Sequence, residues 1–218
     1  MSEVLVQDKA VRRKGPVVTF SGMDGTGKTT LALVAADELR RQGYRVRILR
    51  IYPFSIISVA RWMLKSLFPG LMPERMGSVR RRYSGAVLSL WRQLAFRVDC
   101  ITTGLLIRFL SNRGMAVICD RYVYDSLVAL LYDGACDEDF IERLAALVPT
   151  PDAAFLLRAN EKVICSRKGV SDLEECRLLN KIYLELNDMG DFWIVDTDDE
   201  RSARSEVRGI LSYSGRRW

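Results

Sequence analysis

The chain has 218 residues, of which 49% are hydrophobic, and its formal net charge is +6 at pH 7. This length and composition predict one globular domain with its own core, and they exclude a disordered or fibrous chain. Histidine is absent, which excludes histidine-based catalytic triads and histidine-ligated zinc. Arginines outnumber lysines by 26 to 7. Because the arginine fork pairs well with phosphate, this bias favours an anionic substrate.

The first half of the chain begins with a strand that leads into a glycine-rich turn. A β-branched and aromatic run at 16–20 predicts the strand, and the apolar spacing of 28–41 predicts a helix after the turn. A second strand is expected at 45–49. An apolar helix at 54–72 and a long helix at 87–110 follow, separated by a basic loop.

The second half opens on a continuous apolar run at 115–119, which is typical of a central parallel strand. The remaining predicted elements are helices at 124–132 and 137–147, a strand at 153–157, a helical stretch at 160–187 interrupted near 169–171, a strand at 192–195 and a helix at 199–211. Strands that alternate with helices predict an α/β fold with a mostly parallel central sheet flanked by helices.

The N-terminal segment and the cysteines indicate the domain organisation and the cellular location of the protein. We expect residues 1–15 to be a mobile basic segment without a signal peptide, and residues 16–218 to form a single domain. No uncharged run is long enough to span a membrane. The five cysteines are scattered without a Cys-x-x-Cys motif, which argues against a zinc site or a redox pair. A reducing cytoplasm is therefore the expected location.

The turn after the first strand matches the phosphate-binding pattern Gly-x-x-x-x-Gly-Lys-[Ser/Thr]. Such a loop needs glycines so that its N–H groups can point at phosphate oxygens, and the following helix adds its positive end. We expect Lys28 to contact the outer phosphates of ATP and Thr29 to ligate Mg²⁺. The predicted nucleotide-binding residues are Gly22, Met23, Asp24, Gly25, Thr26, Gly27, Lys28, Thr29 and Thr30.

This loop does not by itself identify the reaction. The small size of the chain favours a kinase, and the guanine motif of GTPases is missing, since the nearest string at 180–183 lacks its aspartate. Two alternatives stay open at this point. One is a kinase that phosphorylates a sugar or nucleoside hydroxyl with Asp24 or Asp120 as the base. The other is a nucleotide-binding regulator or nucleic-acid partner that uses the basic stretch 75–92.

A second set of polar residues, Asp120-Arg121-Tyr122, follows the central strand. Ligand-binding groups of open α/β sheets lie at the carboxyl ends of the strands, where the glycine-rich loop also lies. A carboxylate there can hold magnesium, and the adjacent arginine can pair with a phosphate. We therefore predict that Asp120 and Thr29 are the metal ligands.

The chain resembles the thymidylate kinase family in three segments, which are Phe20–Thr30, Asp120–Ser126 and Pro151-Asp152 before the strand at 153–157. Leu49–Pro53 is similar to the acceptor-side loop of that family. The resemblance implies a P-loop NTPase fold with a short lid. It also implies ATP- and magnesium-dependent phosphoryl transfer to a nucleoside monophosphate, from dTMP to dTDP. Phe54-Ser55 departs from the family pattern, so the chain also resembles thymidylate-kinase-like P-loop kinases.

The resemblance also implies roles for single residues. Asp24 would contact the sugar hydroxyl of the acceptor, and Asp120 and Arg121 would organise magnesium and the phosphates. Arg50 and Arg97 would hold the acceptor phosphate, and Tyr122 is assigned to the substrate side.

Family members with no arginine in the P-loop usually supply one from the lid. The lid is expected at about 165–175 in this chain, where Arg167 and Lys168 are the predicted catalytic cations and Arg177 is the next candidate.

The partners follow from charge and apolar surface. The apolar faces of 54–72 and 87–110 exceed what one helix layer on a sheet can cover, so we expect a homodimer. Nucleotides are the expected substrates, and nucleic acid is not an expected partner.

Overall fold

The computed structural model describes residues 14–50, 86–132, 143–144, 146–168, 173–185, 187 and 190–215. Within these residues the strands are β1 (Val17–Gly22), β2 (Arg45–Arg50), β3 (Met115–Asp120), β4 (Ala153–Arg158) and β5 (Trp193–Asp196). They form one sheet in the order β2-β3-β1-β4-β5. Every strand pair is parallel, so the predicted α/β fold is confirmed.

The described helices connect the strands on both faces of the sheet. They are α1 (Lys28–Arg41), α2 (Ala86–Asn112), α3 (Val123–Tyr132), α4 (Glu161–Lys168), α5 (Leu173–Glu185) and α6 (Glu200–Ser214). The expected helix at 54–72 lies outside the described residues, as do most of 137–147 and the break near 169–171. The domain bounds expected from the sequence stay a prediction.

The alternation of side chains along β3 places one core on each face of the sheet. Ala116 and Ile118 belong to the cluster that packs against α1 and α6. Val117 and Cys119 belong to the cluster that packs against α2 and α3. All four side chains are fully buried. This burial on both faces explains why the strand is a continuous apolar run in the sequence.

The register of the sheet fixes which residues meet at its carboxyl edge. Phe20 of β1 pairs with Asp120 of β3 on one side and with Phe155 of β4 on the other. Arg50, the last residue of β2, pairs with the same aspartate. The two phenylalanine rings stack with their centroids 4.9 Å apart. The polar ends of β2 and β3 therefore lie beside the loop that follows β1.

Within the residues that the structure describes, no helix is both long enough and apolar enough to cross a membrane. The cytoplasmic location stays a prediction.

Candidate active site

The turn between β1 and α1 has the backbone of a phosphate-binding loop. Gly22, Gly25 and Gly27 have φ angles of 145°, 95° and 84°, which residues with a Cβ rarely adopt. A Cβ on Gly22 would also lie 2.5 Å from the carbonyl oxygen of Leu157. Gly27 is the N-cap of α1 and has no side chain to cover the first turn. The N–H groups at this helix end are therefore open to a phosphate.

Lys28 is folded into this loop and is only 6% exposed. Its Nζ donates hydrogen bonds to the carbonyl oxygens of Gly22 at 2.6 Å and Met23 at 2.7 Å. Burial lowers the pKa of Lys28, and the carboxylates of Asp125 and Asp24 oppose this shift. The Met23 side chain is buried in the core, so this residue contributes only its backbone to the loop.

The end of β3 meets the loop at Asp120. Its Oδ2 accepts a hydrogen bond from the Thr29 hydroxyl at 2.7 Å and another from Arg50 Nε at 3.2 Å. Mg²⁺ in nucleotide sites is held by one or two protein oxygens together with phosphate oxygens. A hydroxyl and a carboxylate in contact fit that requirement. Among the described residues, no group of three or more acidic or thiol side chains could hold a metal ion.

Arg121 adopts a left-handed backbone conformation directly after β3. Its φ is 79°, and it is the only described residue other than glycine with a positive φ. Its N–H donates to the carbonyl oxygen of Phe20 at 3.1 Å, and its guanidinium pairs with the carboxylate of Asp24. Such a conformation costs about 1–3 kcal/mol unless the surroundings fix it. Here it turns the guanidinium toward the P-loop.

Asp125 is the buried acid that supports this turn. Its Oδ2 accepts from the N–H of Tyr122 at 3.1 Å, the contact by which the third residue of a helix caps its first turn. Its Oδ1 accepts from the N–H of Gly22 at 3.3 Å and from the hydroxyl of Tyr183 at 3.1 Å. Burial raises the pKa of Asp125, and the charge of Lys28 opposes the rise. One side chain thus connects the P-loop, the start of α3 and α5.

Two clefts open at this edge of the sheet. The larger has a volume of about 350 Å³ and contains the phosphate-binding residues together with the ends of β2 and β3. Its described lining is Asp24, Gly25, Gly27, Lys28, Thr29, Thr30, Arg50, Asp120 and Arg121. The predicted residues in this lining therefore belong to one site.

The smaller cleft, of about 160 Å³, lies on the other side of the P-loop, beside the start of α6. Arg167 at the end of α4 lines it. The guanidinium of Arg167 donates to the carbonyl oxygens of Gly25 at 3.2 Å and Thr197 at 3.1 Å. Thr197 and Glu200 also line this cleft. They follow β5, at the same carboxyl edge as the other strand ends.

Of the four predicted substrate residues, Tyr122 and Arg97 are absent from the described lining of both clefts. Tyr122 is 1% exposed, and its hydroxyl donates to the carbonyl oxygen of Pro149 at 2.6 Å. Its side chain therefore lies in the core. Arg97 lies on the exposed side of α2 and is absent from the described cleft lining. Lys168 ends α4, but its side chain lies outside the described residues, as does part of the expected lid.

Comparison with known proteins places the chain among enzymes of one kind. It is 32% identical over 202 residues to a probable thymidylate kinase of Methanothermobacter thermautotrophicus, which covers 89% of this chain and 93% of that protein. It is 29% identical over 194 residues to a probable thymidylate kinase of Sulfurisphaera tokodaii, which covers 82% of this chain and 86% of the relative.

The match to a probable thymidylate kinase of Methanocaldococcus jannaschii is 27% identical over 203 residues and covers 89% of this chain and 94% of the relative. No protein-family model matches the chain. The solved structure of thymidylate kinase from Candida albicans superposes with a TM-score of 0.65 at 18% identity and covers 93% of each chain. At that identity the structural match supports the fold alone.

Proposed function

This chain belongs to the thymidylate kinase family, and from that premise we propose that it transfers the γ-phosphoryl group of ATP to the phosphate of dTMP, yielding ADP and dTDP. The observation that carries the proposal is the hydrogen bond of 2.7 Å between Thr29 of the P-loop and Asp120 at the end of β3. It joins a phosphate-binding loop to the carboxylate that ends β3 and to the arginine that follows it, in one cleft.

ATP would bind with its phosphates in the P-loop. Lys28 would turn its Nζ from the carbonyl oxygens of Gly22 and Met23 to the outer phosphates, a rotation of a flexible side chain within the loop. The cleft beside Thr197 and Arg167 borders the same loop. We assign the adenine base to that cleft, since it is the described opening that continues from the P-loop on the side away from Asp120.

Thr29 and Asp120 are the residues that would hold Mg²⁺. The ion, when bound, neutralises charge on the phosphates. The Oδ2 atom of Asp120, which accepts from the Thr29 hydroxyl, lies 3.2 Å from Arg50 Nε. The charge of Arg50 therefore balances that of the Asp120 carboxylate, and the guanidinium stays at the edge of the cleft. The two hydrogen bonds orient the Asp120 carboxylate toward the P-loop.

The acceptor would lie in the larger cleft, opposite the P-loop. Arg121 and Arg50 are the cations that could bind its phosphate, and Asp24 could accept a hydrogen bond from its sugar hydroxyl. Arg97, which is exposed on α2, remains a proposed contact of the acceptor phosphate. A phosphate acceptor is already ionised, so no general base is required. Positioning and charge neutralisation then account for the catalysis.

We assign the stabilisation of the transferring group from the lid side to Arg167, with Lys168 beside it. Arg167 already contacts the P-loop at the Gly25 carbonyl oxygen. A short displacement of its guanidinium from this oxygen would bring its charge to the phosphates.

The experiment that tests the proposed function is ADP release across a panel of acceptors. The panel holds dTMP, other nucleoside monophosphates, nucleosides, sugars and a sample without an acceptor. We expect release that depends on dTMP. Turnover with a hydroxyl acceptor only, or release that is independent of any acceptor, would contradict the proposal and favour a hydroxyl kinase or a slow ATPase.

We also propose that the protein is a homodimer through α2. An apolar stripe of this helix is exposed at helical spacing, with exposures between 40% and 58%, at Leu94, Val98, Ile101, Leu105 and Phe109. So long an apolar stripe is unusual on a monomer, and a second copy offers the same stripe across a two-fold axis.

Light scattering at micromolar concentration tests this assembly. The protein should have twice the chain mass, and Leu105→Glu should give a monomer. Leu33→Glu is the matched control, because Leu33 is 53% exposed on α1 and should leave the mass unchanged. A monomeric wild-type protein would contradict the dimer.

A further inference from the structure

Two cysteines that are 11 residues apart in the sequence lie in contact between α4 and α5. The Sγ atom of Cys165 is 3.1 Å from the Sγ atom of Cys176, and neither cysteine is in a disulfide. The spacing in the sequence did not indicate this contact, because the hairpin formed by the two helices creates it. Sulfur atoms of a disulfide lie about 2.05 Å apart, so an approach of about 1 Å would bring the pair to bonding distance.

We propose that Cys165 and Cys176 form a reversible intrachain disulfide in the presence of a small-molecule disulfide such as oxidised glutathione. The thiolate of Cys165 attacks one sulfur of the oxidant and releases one small thiol, leaving a mixed disulfide. The thiolate of Cys176 then attacks the Sγ of Cys165, and the second small thiol leaves. The two protein thiols lose two electrons and two protons, which the oxidant gains.

The burial of the two thiols sets this order of attack. Cys165 is half-buried, whereas Cys176 is 2% exposed. A dissolved oxidant therefore reaches Cys165 first, and Cys176 acts as the resolving thiol from inside the protein. This division is typical of reactive pairs, in which the accessible cysteine reacts and its neighbour closes the bond.

The other two cysteines in the described part of the chain are not competitors. Cys100 and Cys119 are buried in the core that packs against α2 and α3. Burial raises the pKa of Cys100 to about 12 and also raises the pKa of Cys119. Their thiolates are therefore scarce at neutral pH, and they are shielded from the oxidant.

The cross-link would connect the end of α4 to α5. Arg167 lies two residues after Cys165 and donates to the Gly25 carbonyl oxygen at 3.2 Å, so the bond lies beside the residue that borders the P-loop. A disulfide restricts the unfolded chain more than the folded one, in which these atoms are already in contact. Oxidation should therefore raise resistance to heat.

The test uses the full-length wild-type protein, oxidised glutathione, alkylation of the remaining thiols and peptide mapping by mass spectrometry. We expect a peptide pair linked through Cys165 and Cys176, with two of the five thiols lost. Cys176→Ser should stop at a glutathione adduct on Cys165, and Cys165→Ser should give no adduct at Cys176. Alkylation of all five thiols, or a bond to Cys136 instead, would overturn the proposal.

Thermal unfolding supplies a second readout. The oxidised protein should have a Tm roughly 5 °C or more above that of the reduced protein. The variant with Ser at both positions should have the same Tm under both conditions. Equal Tm values for cross-linked and reduced wild-type protein would contradict the stabilising role. Neither readout depends on phosphoryl transfer, so failure here is distinct from failure of the proposed function.

Discussion

The hydroxyl of Tyr183 on α5 donates a hydrogen bond of 3.1 Å to Oδ1 of Asp125 on α3. The same oxygen accepts from the N–H of Gly22, the first glycine of the P-loop. Both side chains are buried. The helix that follows Arg167 in the chain is thus connected to the phosphate-binding loop through one carboxylate, which also holds the start of α3.

We therefore expect Asp125→Ala to lower the free energy of unfolding by about 3 kcal/mol, because it leaves buried donors without an acceptor. Tyr183→Phe removes a single hydrogen bond and should lower it by about 1 kcal/mol. Urea unfolding provides the measurement. Asp37→Ala is the matched control, since Asp37 makes only an exposed ion pair, and its effect should be within about 0.5 kcal/mol. Equal effects of Asp125→Ala and Asp37→Ala would contradict this account.

Because Arg121 has a positive φ, two substitutions can distinguish the effect of its charge from the effect of its backbone strain. Arg121→Ala and Arg121→Gly both remove the guanidinium, so both should lower kcat by roughly 10²–10³. Glycine adopts this conformation without strain, so Arg121→Gly should be more stable than Arg121→Ala by about 1 kcal/mol. Steady-state kinetics and urea unfolding of the two variants test these statements. Arg121→Lys should retain part of the activity, and wild-type kcat in Arg121→Ala would exclude a role in transfer.

The contact of Thr29 with Asp120 predicts a change in the magnesium requirement. Thr29→Val keeps the shape of the side chain but removes the hydroxyl, so the Mg²⁺ concentration for half-maximal ADP release should rise at least about tenfold. Removal of magnesium with EDTA should stop turnover in the wild-type protein. The control is Thr102→Val, because the Thr102 hydroxyl donates only to carbonyl oxygens of its own helix. An unchanged magnesium curve for Thr29→Val would rule out this ligand.

Arg167 should act mainly during the reaction. Its contact with Gly25 is exposed, and the charge that it must balance develops as the phosphoryl group moves. Arg167→Ala should therefore lower kcat much more than it weakens ATP binding. Binding is measured by titration and kcat by steady-state kinetics. Arg40→Ala removes an exposed arginine paired with Asp37 and should change neither quantity. If kcat is unchanged in Arg167→Ala, the required cation comes from another residue.

Much of the site could be predicted from the sequence because parallel strands end at a common edge. The glycines of the P-loop mark positive φ angles, and Asp120 closes an apolar run, so both features are local. The contact of Asp120 with Thr29, 91 residues away, follows from the fold class. The expected bounds of α1 are the observed ones, Lys28–Arg41, because glycine turns flank that helix.

The parts that could not be predicted depend on tertiary packing. Tyr183 is 58 residues from Asp125, and no local pattern indicates that α5 packs on α3. Tyr122 follows the two active-site residues in the sequence, but the left-handed turn at Arg121 directs its ring into the core. A sequence motif does not specify such a direction. The local signal for Asp125 was the acid at the third position of α3.

The most direct test of the central claim is identification of the product. The protein is incubated with ATP, Mg²⁺ and dTMP, and the nucleotides are separated by ion-exchange chromatography. The account predicts dTDP and ADP in equal amounts, and neither product above background with Lys28→Ala, whose fold is checked by circular dichroism. ADP without dTDP, or dTDP formation by a folded Lys28→Ala protein at the wild-type rate, would contradict it.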